Sequence, residues 1–282
     1  MQGRALNRES ENMTVLDKLA TALNRRDEAP NQELAQRIVE AGATSERASR
    51  RPNHAIEAHD TGFGPGFRIE EGVLSNRECD DLIEAVSQSP QGRSRAGARH
   101  LMSIPAVEAL AKDERLLRIA SRALGDGAVP FRATLFDKSG RANWLVVWHQ
   151  DTALPLAARN DSKEWGPWSL KAGVLYAHAP AWALTRVLAL RIHLDDSTGE
   201  NGPLRVIPGS HLGGVLSDDE ILDLARAQKN VEAHVPRGGV LAMRPLLVHS
   251  SSKARADEPR RVLHLEYAER LELAPGLRLA VA

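Results

Sequence analysis

Hydrophobic and polar positions give this chain three successive textures. In residues 1–60 apolar side chains are sparse. Val15, Leu16, Leu19, Ala20 and Leu23 recur at helical spacing, and a second short helix is predicted over 32–41. The stretch "GATSERASRRPNHAIEAHDTG" is polar and reads as a linker. Residues 1–60 are therefore expected to form a polar, partly helical extension, and residues 61–282 a folded domain. That domain opens with helices. "SNRECDDLIEAVSQS" has Ser75 placed as an N-cap, and "IPAVEALAKDERLLRIASRALG" predicts two helical segments ending at Gly125. After Val129 the texture changes to short apolar strands between Gly, Pro and Asn turns: "FRATLFDK", "NWLVVWHQ", "RVLALRIHLDD", "GPLRVIP", "GVLAMRPLLVHSS" and "RRVLHLEYA". One polar helix, near 218–229, interrupts them. Helices followed by many short strands predict a mainly β fold with flanking helices, a sandwich or jelly roll.

Composition narrows the partners. Lysine plus arginine equals aspartate plus glutamate, 37 each, which gives no reason to expect a nucleic acid or a membrane surface. No stretch approaches the ~20 apolar residues of a membrane span. Cys79 is the single cysteine, so no intrachain disulfide forms, and a cytoplasmic location is expected.

The chemistry centres on "NWLVVWHQDTALPL", residues 143–156, where an apolar strand ends in His149-Gln150-Asp151. Alternate residues of a strand share a face, so His149 and Asp151 point the same way, about 7 Å apart along the backbone. Two ligands are too few for a firm metal site. His249, at the end of another apolar strand, is the candidate third. Two histidines and one carboxylate on one face are the donor set that holds non-haem Fe(II) with positions left open. The same ligands would also hold Zn²⁺ in a hydrolase, and a catalytically silent jelly-roll binding protein is the other alternative.

Strand parity extends the site. In "RRVLHLEYA", Arg260, Val262, His264 and Glu266 share one face. Arg261, Leu263, Leu265 and Tyr267 share the other, which is apolar apart from Arg261 and should pack against helices. Arg260 then points into the cavity, where a guanidinium fork suits the far carboxylate of a dicarboxylate ligand. In "TRVLALRIHLDD", Leu188, Leu190, Ile192 and Leu194 form the packed face, and Ala189, Arg191, His193 and Asp195 are expected to line the metal cavity. A buried Arg191 needs an anion: either Asp195 or Glu266 within the chain, or a carboxylate of a ligand. All five tryptophans lie between Asn143 and Trp182. The long connection "TALPLAARNDSKEWGPWSLKAG" reads as a loop that either closes over substrate or is packed down by these rings. Gln150, Trp165, Trp168 and His178 are its candidate pocket residues.

"WHQD" at 148–151, "LDDSTGENGPLRVIPGSH" at 194–211, "VHSS" at 248–251 and "RRVLHLEYA" at 260–268 together resemble the phytanoyl-CoA dioxygenase-like Fe(II)/2-oxoglutarate oxygenases. "LFDKSGRANW" resembles a bacterial branch of that family. The resemblance runs from about Phe67 to the C-terminus. It implies a double-stranded β-helix, a cupin-like jelly roll. It implies iron on His149, Asp151 and His249, and 2-oxoglutarate with its distal carboxylate on Arg260 and Ser251. It further implies O2 as the second cosubstrate and hydroxylation or desaturation of a small molecule. Related halogenases lack the carboxylate ligand, so Asp151 argues against halogenation. A charged residue at 191 departs from the family, which has an aromatic or neutral polar group there.

Overall fold

The computed structural model describes residues 63–89, 93–94, 97–138, 143–160 and 162–282. The two helices expected over 15–23 and 32–41 and the linker after them lie outside the described residues. The fold is a jelly roll: strands in two facing sheets, with helices packed on the outside of the larger one.

The larger sheet is built from β1 (Phe67–Glu70), β2 (Arg93–Ser94), β3 (Gly97–Arg99), β4 (Val129–Lys138), β9 (Val187–His193), β12 (Val240–Met243) and β14 (Arg260–Ala268), in the order β1-β12-β9-β14-β4-β3-β2. The smaller sheet has β5 (Val146–His149), β10 (Leu204–Val206), β11 (Val231–Ala233) and β13 (His249–Ser251), in the order β11-β10-β13-β5. "GVLAMRPLLVHSS" was expected as one strand. It is two, in different sheets, broken after Met243 where Pro245 removes a ladder donor. This break carries the chain from the larger sheet to the smaller one, which holds His149 and His249.

Helices α1 (Asn76–Ser87), α2 (Pro105–Ala111) and α3 (Glu114–Leu124) cover the outer face of the larger sheet. Ser75 caps α1 through a capping box with Glu78. Asp113 caps α3, and Gly125 ends it. The strand parity holds. Leu188, Leu190, Ile192, Leu263, Leu265 and Tyr267 lie in one core with Cys79, Leu82, Val107, Leu116 and Ile119. Full burial of each such aliphatic side chain contributes roughly 1.5–3 kcal/mol. The Tyr267 hydroxyl donates to the Ala111 carbonyl at 2.9 Å, satisfying an acceptor at the C-terminal end of α2.

The connection after Asp151 is not a plain loop. It folds into β6 (Ala153–Leu156), β7 (Trp168–Lys171) and β8 (Val174–His178), a three-stranded sheet ordered β6-β8-β7, followed by the short helix α4 (Ala181–Leu184). Alternation in "SLKAGVLYAH" was masked by the polar stretch before it. A further helix, α5 (Asp218–Ala227), matches the polar segment expected there, and β15 (Glu272–Ala274) and β16 (Leu277–Arg278) form a hairpin. Among the described residues, no helix is long and apolar enough to cross a membrane.

Candidate active site

Strands β5 and β13 pair so that His149 lies directly opposite His249. Their rings are 4.2 Å apart, centroid to centroid. Each Nδ1 lies 2.8 Å from a carbonyl two residues back, Val147 for His149 and Leu247 for His249. With the Nδ1 proton donated there, each Nε2 keeps its lone pair for the cavity. Asp151 follows the end of β5, and its N–H is held by the Pro245 carbonyl at 2.9 Å. Its carboxylate oxygens lie 3.7 Å from His149 Nε2 and 3.6 Å from His249 Nε2. One ligand atom from each of the three residues falls within 4.8 Å of the others.

The protonation states suit a cation. Burial works against ionisation of Asp151, but the charges of His249 and His149 outweigh it and hold the carboxyl well below its usual range. Burial, reinforced by His149, pulls His249 down to about 4. Neutral imidazole and ionised carboxylate are the ligating forms, so the donor set fits a divalent metal.

A second cluster lies along β14 and β4. Arg260 is buried, opposite Lys138 in the ladder. Its Nε donates to the Asn201 carbonyl at 3.2 Å and one Nη to Ser251 Oγ at 3.4 Å, while the other Nη has no hydrogen-bond partner among the described residues. Lys138 Nζ donates to Ser251 Oγ at 2.9 Å and to the Ser252 carbonyl. Ser251 spends its own hydrogen on the Gly202 carbonyl at 2.8 Å. Burial, then the nearby Arg260 and Arg191, pull the Lys138 ammonium down to about 7. Gly202 has φ 68°, and a Cβ there would meet the Ser252 carbonyl oxygen at 2.4 Å, so the "ENGP" turn admits glycine only.

Lys138 was missed in the sequence. The signal was present, since Arg132, Thr134, Phe136 and Lys138 share one parity in "FRATLFDK", opposite the apolar Phe131, Ala133 and Leu135. Arg191 and His193 lie where parity puts them, on the cavity side and buried. Arg191 Nη1 is 3.2 Å from His264 Nδ1, and its guanidinium sits over the Phe136 ring at 5.1 Å. Burial pulls it down to about 10. Both ring nitrogens of His193 lack a partner among the described residues.

Several expectations are corrected. Asp195 does not line the cavity. It forks onto Arg261 at 2.8 and 2.7 Å, because the strand ends at His193 and parity lapses beyond it. Glu266 pairs with Arg132. Neither carboxylate is therefore the partner of Arg191. Gln150 is structural: its amide reaches the Gly214 and Leu246 carbonyls, and its oxygen accepts from the Leu216 N–H. Trp165 is buried in a core with Leu154, Leu156 and Leu184, edge-on to Trp182, so it packs its segment down. Trp168 flanks that core under Arg159. His178 Nδ1 meets Thr152 Oγ1 at 2.7 Å, tying β8 to the segment just after Asp151.

Residues 64–262 match the phytanoyl-CoA dioxygenase (PhyH) family. The chain belongs to that family. As a member it is a non-haem iron and 2-oxoglutarate-dependent dioxygenase with O2 as cosubstrate. The PhyH-family chain is 25% identical over 247 residues to L-proline trans-4-hydroxylase of Streptomyces griseoviridis, covering 77% of this chain and 76% of that one. Among solved structures it is similar in fold to EctD from S. alaskensis with 2-oxoglutarate and 5-hydroxyectoine. There the TM-score is 0.56 and the identity 21%, covering 78% of this chain and 79% of that one. HygX from Streptomyces hygroscopicus with nickel, 2-oxoglutarate and hygromycin B gives TM-score 0.53 and 17% identity, over 73% and 83% of the two chains.

Proposed function

We propose that His149, Asp151 and His249 hold the iron of this dioxygenase, and that Arg260 with Lys138 and Ser251 receives the distal carboxylate of 2-oxoglutarate. The reaction assigned is hydroxylation or desaturation of an unactivated C–H in a small, acid-bearing molecule. The observation that carries this reading is the convergence of the three ligand atoms in one barrel with the Arg260–Lys138 pair. A zinc hydrolase would leave that buried cationic pair without a task. Iron with 2-oxoglutarate activates dioxygen for C–H oxidation and releases succinate and CO2. The chain's own part is ligation through neutral imidazoles, a fixed fork for the dianion, and a buried cavity. Iron-dependent succinate release over pooled carboxylic acid metabolites tests the reading. A product that gains one oxygen marks hydroxylation, and one that loses two hydrogens marks desaturation.

Arg191 supports the acid-bearing substrate. With Arg260 and Lys138 on one carboxylate of the cosubstrate, Arg191 is a further buried cation that calls for an anion. L-Proline, named for the Streptomyces relative, bears a carboxylate. Arg191→Gln is expected to raise a Michaelis constant by about tenfold, from loss of one charge-assisted hydrogen bond. A rise for substrate alone assigns Arg191 to the substrate acid, and a rise for 2-oxoglutarate alone assigns it to the cosubstrate. Unchanged constants would remove this support for an acidic substrate.

Lys138 gives the cosubstrate pocket a pH dependence. Its folded value, about 7, lies below that of an ordinary lysine, so in the free protein the side chain loses its charge as pH rises through neutrality. Receiving a carboxylate favours the ammonium, so binding above that pH takes up a proton. Affinity for 2-oxoglutarate is therefore expected to fall between about pH 7 and pH 9, with proton uptake measurable by calorimetry in buffers of different ionisation enthalpy. Constant affinity over that range would mean that Lys138 does not meet the carboxylate.

A further inference from the structure

One chain of polar side chains crosses three neighbouring strands on their cavity faces. His264 of β14 lies in register between Arg191 of β9 and Thr134 of β4, and Glu266 lies between Ala189 and Arg132. Arg191, His264 and Glu266 are buried. Arg191 Nη1 is 3.2 Å from His264 Nδ1. A guanidinium carries N–H donors and no acceptor, so Nδ1 accepts this bond. The single proton of the neutral His264 ring therefore sits on Nε2. That nitrogen faces Glu266, with Oε1 at 3.9 Å, and the Glu266 carboxylate is itself paired with Arg132. Arg132 is anchored in turn by donating to the Ala153 carbonyl at 3.1 Å.

Arg191 is held from two sides. Its guanidinium lies 5.1 Å over the Phe136 ring, which is edge-on to His264 at 5.6 Å between centroids. A long, flexible side chain is thus ordered before any ligand arrives, and the entropy of ordering it is not lost on binding. A neutral acceptor fixes the guanidinium without cancelling its charge, whereas a carboxylate in the same place would do both. Glu266, the nearest carboxylate on that face of β14, is taken by Arg132. Burial first, then the Arg191 charge, pull His264 well below its ordinary value, so the ring stays an acceptor. Arg191 Nε and both ring nitrogens of the adjacent His193 have no hydrogen-bond partner among the described residues. Buried polar atoms of this kind call for a ligand's polar group.

We propose that His264 is a positioning residue for substrate binding: its Nδ1 orients the Arg191 guanidinium toward the substrate's carboxylate, and the Glu266–Arg132 pair holds His264 in the tautomer that does so. The proposal rests on the reading of Arg191 as the group that meets the substrate acid, and adds what aims it. His264 acts through Arg191 and touches neither the substrate nor the metal.

The test is NMR of the full chain, labelled with nitrogen-15 in histidine and arginine and loaded with Zn(II) and saturating 2-oxoglutarate. His264, identified by the signals lost in His264→Asn, should show a protonated Nε2 and a bare Nδ1. The same tautomer should persist in Arg191→Leu, because Glu266 still faces Nε2. Arg191 should give separate Nη signals, the mark of hindered rotation. Those signals should merge in His264→Leu and stay apart in His264→Asn, whose amide oxygen can accept. Propionate is the probe anion and propionamide the neutral control. Propionate should shift the Arg191 Nε signal, and its affinity should be about tenfold lower in His264→Leu than in the unaltered chain or His264→Asn, as for loss of an oriented charge-assisted hydrogen bond. A proton on Nδ1 overturns the proposal. So does a His264→Leu protein that keeps separate Nη signals and unchanged propionate affinity. The tautomer is read on the unaltered chain, so the test stands where a variant fails to fold. If propionate leaves Arg191 unshifted while the tautomer and the Nη pattern are as stated, the acid-bearing substrate is lost and the orienting role of His264 is kept.

Discussion

His249→Ala protein should release no detectable succinate from 2-oxoglutarate and should bind Fe(II) at least about a hundredfold more weakly than the unaltered chain. Changing an outer partner of a metal ligand already costs roughly 10–100-fold in affinity, and the loss of a ligand itself exceeds that. His249 is also the most enclosed of the three, buried at the start of β13 and opposed in register by His149. Among the described residues the neighbouring imidazoles are engaged elsewhere, since His264 meets Arg191 and His193 lies beside Arg191 and Arg260. The fold should survive, since β13 keeps its backbone pairing to β10 and β5. Anaerobic Fe(II) titration with a circular dichroism spectrum on the same sample separates metal loss from unfolding. Near-unaltered iron affinity in a folded His249→Ala protein would contradict the ligand set.

Adjacent arginines should behave differently. Arg260→Gln is expected to raise the 2-oxoglutarate Michaelis constant by roughly 10–150-fold, the equivalent of 1.5–3 kcal/mol for hydrogen bonds to a charged group. Arg261→Gln should leave that constant nearly unchanged. Its guanidinium forks onto Asp195 on the outside of the barrel, so the expected cost is in stability, about 1–2 kcal/mol by urea unfolding. The contrast follows from the period of two in a strand: residues 260 and 261 face opposite sides of one sheet. A raised constant for Arg261→Gln with none for Arg260→Gln would mean that the strand is out of register by one residue.

Period and parity made much of this site legible. The apolar faces of "RVLALRIHLDD" and "RRVLHLEYA" gave the packed side of the larger sheet, and the opposite faces gave Arg191, His193, His264 and Arg260. The proposed metal ligands stood out because polar groups at strand ends in apolar surroundings need a reason. Parity failed where strands end. Asp195 lies past the last residue of β9 and turns outward to Arg261. It was also silent on partners. Nothing local in the sequence tells that Glu266 meets Arg132, or that Gln150, between His149 and Asp151, is consumed by three backbone groups. Such pairings depend on sheet order, which side-chain alternation does not encode. The β6–β8 sheet was lost for a related reason, since its short strands are interrupted by the polar run at 158–164.

The most direct test of the account is an anaerobic titration of the Fe(II)-loaded chain with 2-oxoglutarate, following the visible charge-transfer absorption of an iron-bound 2-oxo acid. The account predicts that the band saturates at one iron per chain and is absent from the Asp151→Ala protein. In the Arg260→Gln protein the band should appear only at much higher 2-oxoglutarate. An undiminished band in Asp151→Ala, at unchanged 2-oxoglutarate concentration, would contradict it.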